Sequence, residues 1–253
     1  MTKKMFILVL AVVLGMGSLR AEVFYGNCGA QKSGTNIRWM LDTETGLLTL
    51  KGSGAMQNYM YITDEAPWFE VRMAVKHVNI MDGITTVGTW AFNQCFFLED
   101  ITLGKDVREV PMDFCGNDFR MHTIKVSKDN KHFSAKDGIL YDKKRTVLLH
   151  FPAGHPAKEY TLPGSLERIA AFAFSCNQNL QTLNIPSLKS IEGHAFSNCD
   201  NLKRINCYCK VPPVIADRSI FDIRVDPVVY VPAKSMEQYK ATPWKVIHLK
   251  PLK

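Results

Sequence analysis

Ile191-Glu-Gly-His-Ala195-Phe196-Ser-Asn-Cys199-Asp-Asn-Leu202-Lys-Arg-Ile205-Asn-Cys207 is the stretch that decides the fold, because it joins two patterns in one phase. The first is apolar-x-x-apolar-x-apolar, carried by Leu202, Ile205 and Cys207. The second is a β-branched anchor followed four and five residues later by Ala-Phe, carried by Ile191, Ala195 and Phe196. The first pattern also starts at Val75, Leu98, Met121 and Leu180, with weaker copies at Ala157 and Asp226. Successive starts are 23, 23, 36, 23, 22 and 24 residues apart. The second pattern recurs as Val87 with Ala91-Phe92 and Cys95, and as Ile169 with Ala173-Phe174. After Val110 it is degraded, with Phe114-Cys115 in place of Ala-Phe, and Cys176 lies one residue early.

A period near 23 marks a structural repeat. One such unit cannot bury its apolar side alone, whereas stacked units share a continuous core. The apolar hexad reads as a short strand with positions 1, 4 and 6 inward and 2, 3 and 5 outward. Equivalent strands of successive coils then pair in parallel. The Ala-Phe spacing predicts a short helical turn that carries both residues inward. The long step of 36 is explained by an insertion over 133–151, where Asp137 to Tyr141 and Thr146 to His150 flank the polar segment Asp142-Lys-Lys-Arg145. That arrangement predicts a β-hairpin protruding from the stack.

Both ends of such a stack need caps. Ile37 to Leu41 and Leu47 to Leu50 around Thr43-Glu-Thr-Gly46 predict an N-terminal hairpin, followed by Pro67 and Trp68 as cover. Pro212, Pro213, Pro227 and Pro232 preclude long helices at the other end, where Ser235 to Ala241 suits a short one and Trp244 with Val246-Ile247 closes the last coil. The division expected is a leader over 1–21, an N-terminal cap over 22–72, repeats over 73–210, and a last coil with its cap over 211–253.

The leader rests on Lys3 and Lys4, the apolar run from Met5 to Leu14, and small residues ending at Ala21, the pattern of a secretory signal. The run is shorter than the roughly 20 apolar residues that span a bilayer. No second long apolar run follows, so no transmembrane segment is expected in the processed chain. Export implies secretion or the cell surface, with the periplasm as the other compartment. Lys3, Lys4 and Arg20 account for three of the seven net positive charges, leaving +4 on 232 residues. Without a clustered basic face, a charge that small argues against nucleic acid as a partner.

At this point the chain resembles the BspA-like class of bacterial leucine-rich-repeat proteins. The residues that carry the likeness are Ile84-Thr-Thr-Val87-Gly-Thr-Trp-Ala91-Phe92-Asn-Gln-Cys95 and Ile191 to Cys199. Lys136-Asp-Gly-Ile-Leu-Tyr141, Ser53-Gly-Ala-Met56 with Ala66-Pro-Trp68, and Val229-Tyr-Val-Pro-Ala233 through Trp244 are similar to the insertion and caps of that family. The resemblance implies a β-rich α/β solenoid of leucine-rich-repeat type. Its right-handed coil would carry a parallel sheet on one face, short helical turns opposite, an inserted hairpin and capped ends. It implies adhesion, or other protein and glycan contacts at bacterial surfaces, and supplies no catalytic residues.

The residues offer no chemistry that competes with this. Gly-x-Ser-x-Gly, a phosphate loop, a dinucleotide fingerprint and His-Glu-x-x-His are all missing from the sequence. His77 and His122 share the strand face but belong to non-adjacent coils. Cys95 and Cys199 read as small buried thiols at one repeat position. Cys207-Tyr-Cys209 is an isolated pair without metal-site spacing, and Cys28 has no evident partner. No catalytic residue, metal site or cofactor is therefore expected. What remains is the outward face, with Lys76, Asn79, Thr102, Lys125, Thr161, Asn184, Arg204 and Asn206 as candidate ligand-binding residues. The first reading is a non-catalytic protein that binds a protein or glycan at the cell surface. The second is a structural envelope component without a specific ligand, and an exported hydrolase stands third.

Overall fold

A computed structural model describes residues 21–31, 33–60, 63–115 and 118–252. Residues 1–20 of the expected leader lie outside the described residues. The chain is a β-solenoid with parallel sheets and little helix, and it divides into two compact units. One is Met1–Asp118 with Lys125–Lys131, and the other is Phe119–Ile124 with His132–Lys253.

The first unit starts on an antiparallel meander. Val23–Asn27 pairs with Ile37–Asp42, which pairs with Leu47–Gly52. The last of these strands switches hand of pairing: it lies parallel to His77–Ile80, which lies parallel to Asp100–Leu103. Thr123–Val126 ends this sheet, and its Lys125 and Val126 belong to this unit. The cap thus presents the first coil with a ready strand edge in place of water. The register aligns Leu48, Val78 and Ile101 in one inward row, and all three are buried. Gly46 makes the junction possible. Its φ of +72° suits glycine, and a Cβ there would meet Lys76 Cγ at 2.8 Å, while its carbonyl accepts from the amides of Lys76 and His77.

The hexad behaves as its period requires. Val75, Val78 and Ile80 are buried, as are Leu98, Ile101 and Leu103, while residues 76, 77, 79, 99, 100 and 102 keep solvent contact. In the second unit Leu180, Leu183 and Ile185, then Leu202, Ile205 and Cys207, repeat the pattern. There the main sheet runs Glu159–Thr161, Thr182–Ile185, Arg204–Cys207, Val228–Val231 and Leu249–Pro251, all parallel.

The Ala-Phe segments point inward as expected, but they are turns and not helices. Each is bracketed by two residues with positive φ: Trp90 and Gln94, Phe172 and Cys176, His194 and Asn198. The cause is tertiary. The left-handed residues turn the backbone so that alternate amides bond the next coil, as in Phe174 N to Ala195 O at 2.8 Å and Phe196 N to Ile220 O at 2.8 Å. A helix would have satisfied those amides within its own turn and left the coils unlinked. Phe151, Phe174, Phe196 and Phe221 then stack in sequence, with ring centroids 4.7, 5.1 and 5.4 Å apart. Each such ring contributes about 2 kcal/mol by burial alone.

The inserted segment does not protrude. Phe133–Lys136 and Ile139–Asp142 form an antiparallel hairpin, and Ile139–Asp142 pairs again with Val147–His150. Val147–His150 then enters a second parallel ladder, with Leu148 in register with Ile169 and Ile169 with Ile191. Ile139, Leu140, Tyr141 and Leu148 are buried because the insertion completes a coil and supplies Phe151 to the ring stack. Asp142 ties its second turn, accepting from the amides of Thr146 and Val147, both at 2.7 Å. At the far end Met236–Lys240 is a short helix, and buried Trp244 donates its indole N–H to Pro213 O at 2.7 Å.

Candidate functional site

The expected binding residues come from strand positions 2, 3 and 5, which parallel pairing sets side by side in successive coils. In the first unit Asn79 lies opposite Thr102, and His77 opposite Asp100. Asp100 gathers its neighbours. One carboxylate oxygen is 2.8 Å from His77 Nδ1 and the other accepts from Lys125 Nζ at 3.1 Å. Lys125 is therefore held along the face by the adjacent coil. Lys76 sits at the edge of the face, with its aliphatic stem against the Gly46 turn.

In the second unit the face is a continuous chain of hydrogen bonds. Asn184 Nδ2 donates to Glu159 Oε1 at 2.7 Å and to Thr161 Oγ1 at 3.2 Å. Asn206 Nδ2 donates to Asn184 Oδ1 at 2.7 Å, and Arg204 Nε donates to Asn206 Oδ1 at 2.7 Å. The Arg204 guanidinium lies 3.8 Å from the centre of the Tyr230 ring. Of the expected residues, this brings together Thr161, Asn184, Arg204 and Asn206, and in the other unit Asn79 with Thr102. Tyr230 was not anticipated. It occupies position 5 of the coil that starts at Asp226, and reading that weak copy in phase would have placed it beside Asn206.

The cysteines divide by environment. Cys28, Cys95, Cys199, Cys207 and Cys209 are buried, and among the described residues no two cysteines form a disulfide. Burial pushes the Cys28 thiol up to about 12 and raises Cys95 and Cys199 as well, which keeps all three protonated and inert. Cys199 Sγ donates to Phe174 O of the preceding coil at 2.9 Å. Its equivalent before Leu180 is Asn177, one residue after the early Cys176, and its amide makes the same kind of link. Cys207 and Cys209 hydrogen-bond to each other beside Tyr239 Oη, which holds the Cys207 thiol down and raises that of Cys209. Among the described residues no group of three or more His, Cys, Asp or Glu is placed to hold a metal ion. Among the same residues no helix is long and apolar enough to cross a membrane.

The sequence matches the model of the BspA-type leucine-rich repeat region in six copies, over residues 57–136 and 151–217. No curated protein matches the chain. Solved structures similar to it include a leucine-rich repeat protein from Eubacterium ventriosum, 19% identical, covering 91% of this chain and 85% of that one with a TM-score of 0.39. Another is the pneumococcal vaccine antigen PcpA, 17% identical over 71% of this chain and 68% of that one, TM-score 0.40. A third is a leucine-rich cell surface protein from Faecalibacterium prausnitzii, 14% identical over 85% and 93%, TM-score 0.32. The family match spans more than half of the chain and falls on the coils whose period, inward rows and turn stacking are described above. The chain belongs to the BspA-type leucine-rich repeat family.

Proposed function

We propose that this chain is an exported, non-catalytic interaction protein that presents its parallel sheet face to a protein or glycan at the bacterial surface. The observation that supports this reading most is the coil-to-coil alignment of polar side chains, from Glu159 and Thr161 through Asn184 and Asn206 to Arg204 and Tyr230. Groups spaced at one strand pitch, and already ordered by their neighbours, lose little side-chain entropy when they bind. The same pairing limits affinity, because a ligand gains only the lone pairs and protons that the ladder leaves unused.

The test uses residues 22–253 on a glycan array and on an array of extracellular matrix proteins. Binding that disappears in the triple variant Lys125→Ala, Asn184→Ala and Arg204→Ala supports the face as the site. Binding that survives all three changes removes the sheet-face assignment. The absence of binding on both arrays favours a structural role in the envelope, a reading in keeping with a face whose polar groups satisfy one another.

A further inference from the structure

The strand Val23–Asn27 forms one edge of the first unit's sheet. Its pairing with Ile37–Asp42 decides which of its backbone groups face outward. The amide of Thr43 bonds Glu22 O at 3.0 Å and that of Cys28 bonds Ile37 O at 2.9 Å, in the register that sets Val23 against Asp42 and Asn27 against Arg38. Hydrogen-bonded and non-hydrogen-bonded pairs alternate along an antiparallel ladder. Glu22 and Cys28 share one phase, so Phe24 and Gly26 also bond inward, to Leu41 and Trp39. Val23, Tyr25 and Asn27 fall in the other phase and turn their N–H and C=O groups away from the sheet. Those groups find no partner among the described residues.

Native proteins usually block such an edge with lysine, proline or a bulge, because it invites another strand. Leu249–Pro251, an edge strand of the second unit's main sheet, carries Lys250 and Pro251. Val23–Asn27 has none of these devices. Its residues, Val-Phe-Tyr-Gly-Asn, are uncharged, and its register with Ile37–Asp42 is unbroken. Gly26 packs so closely on Trp39 that a Cβ would meet Nε1 at 2.8 Å, which holds the strand in place. Val23 and Tyr25 are exposed, and Tyr25 lies opposite exposed Met40, so apolar side chains flank the open backbone groups.

Symmetry identifies what fits this edge. Free groups at residues 23, 25 and 27 match an antiparallel copy of the same strand, Val23 meeting Asn27, Tyr25 meeting Tyr25, and Asn27 meeting Val23. Opposed Cα atoms in such pairs lie about 5.5 Å apart, which sets the two Tyr25 rings side by side. Glu22 falls opposite Cys28, so no like charges meet. Across the seam one row reads Arg38, Asn27, then Val23 and Asp42 of the second copy, with opposite charges at its ends.

We infer that Val23–Asn27 is an interface for a second copy of this chain, paired antiparallel about a two-fold axis at Tyr25. The dimer closes, since neither copy then offers this edge to a third. The seam is one short strand wide and smaller than a standard interface, so its Kd is on the order of 100 μM. Its use in adhesion rests on the sheet-face reading: two joined faces meet a repeated ligand with more avidity than one. The dimer itself does not, and its test needs no ligand.

Sedimentation velocity on residues 22–253 from about 10 to 500 μM should show the weight-average mass rise from near one chain to about 1.7 chains. Over the same range, amide exchange followed by NMR should slow about threefold at Val23, Tyr25 and Asn27, and change little at Phe24 and Gly26. Tyr25→Lys and Tyr25→Glu, both at an exposed side chain, set like charges against each other at the two-fold and should hold the mass at one chain. An equimolar mixture of the two variants should restore association. A wild-type protein that stays at one chain mass at 500 μM overturns the inference. Association that leaves the three amides unprotected, or that persists in Tyr25→Lys, overturns it equally. If the peptide Thr-Val-Thr-Val-Thr slows those amides while the chain stays monomeric, the edge takes another protein's strand and the second copy is refuted.

Discussion

Replacing Asn177 by alanine removes four hydrogen bonds that join one coil to the next and close the turn between them. Asn177 is fully buried, and its Nδ2 donates to Pro152 O at 2.9 Å and to Ala153 O at 3.2 Å. Its Oδ1 accepts from the amides of Asn179 at 3.1 Å and Leu180 at 2.8 Å, just ahead of the strand Thr182–Ile185. At about 1 kcal/mol net per bond, Asn177→Ala costs about 4 kcal/mol. Asn177→Cys keeps one donor to a carbonyl, as Cys199 does one coil later, and should cost about 1 kcal/mol less.

A solenoid loses stability coil by coil, so the measurement has to report on the right unit. Trp244 is the one tryptophan of the second unit, and Trp39, Trp68 and Trp90 belong to the first. Urea titration of 5-fluorotryptophan-labelled protein, followed by ¹⁹F NMR, therefore reads the two units separately. The Trp244 transition should move to lower urea in the order wild type, Asn177→Cys, Asn177→Ala. If Asn177→Ala shifts it by less than about 1 kcal/mol, or if the cysteine variant is the weaker, the amide is not the coil clamp described here.

Phe174→Ala leaves a gap between Phe151 and Phe196 and should cost about 3–5 kcal/mol, read as a lowered thermal midpoint by circular dichroism; an unchanged midpoint would refute the ring stack. Burial holds His150 down to about 4, against about 6.5 in an unfolded chain, and lowers His155 as well. The unfolded chain then takes up a proton that native His150 refuses. Its stabilising share, up to about 3 kcal/mol, is whole above pH 6.5 and is lost as the pH falls through 4. Urea midpoints at pH 7.5, 5.5 and 4.5 should fall in that order, less steeply in His150→Leu, and a variant as steep as wild type would refute this. Iodoacetamide at pH 8 should label half-buried Cys115 and Cys176 before the five buried thiols, and equal rates for all seven by peptide mass spectrometry would mean that the seams between coils open freely.

The apolar rows were legible in the sequence because they depend on period alone: Leu98, Ile101 and Leu103 declare the inward side wherever the strand sits. The turns were less legible. Trp90 and Phe172 take positive φ although nothing in their chemistry favours it, since the links to the next coil impose it. The insertion's hairpin was legible, since Ile139–Asp142 does pair with Val147–His150, but its burial was not, for a related reason. Its charged turn, Lys143-Lys144-Arg145, suggested a hairpin in solvent, while the telling residue was Phe151, which enters the same stack as Phe174. Asn177 escaped notice because its equivalents are cysteines, and only the shared act of donating to a carbonyl of the preceding coil equates them.

The sheet face was legible only in part, and the part that was not bears on how it would bind. Face residues follow from the hexad, so their positions could be named from sequence. Their pairing could not, because Asn184 and Asn206 meet only once the coil length is fixed. A ligand on the face must compete with hydrogen bonds the protein already makes, so its net gain per contact is small.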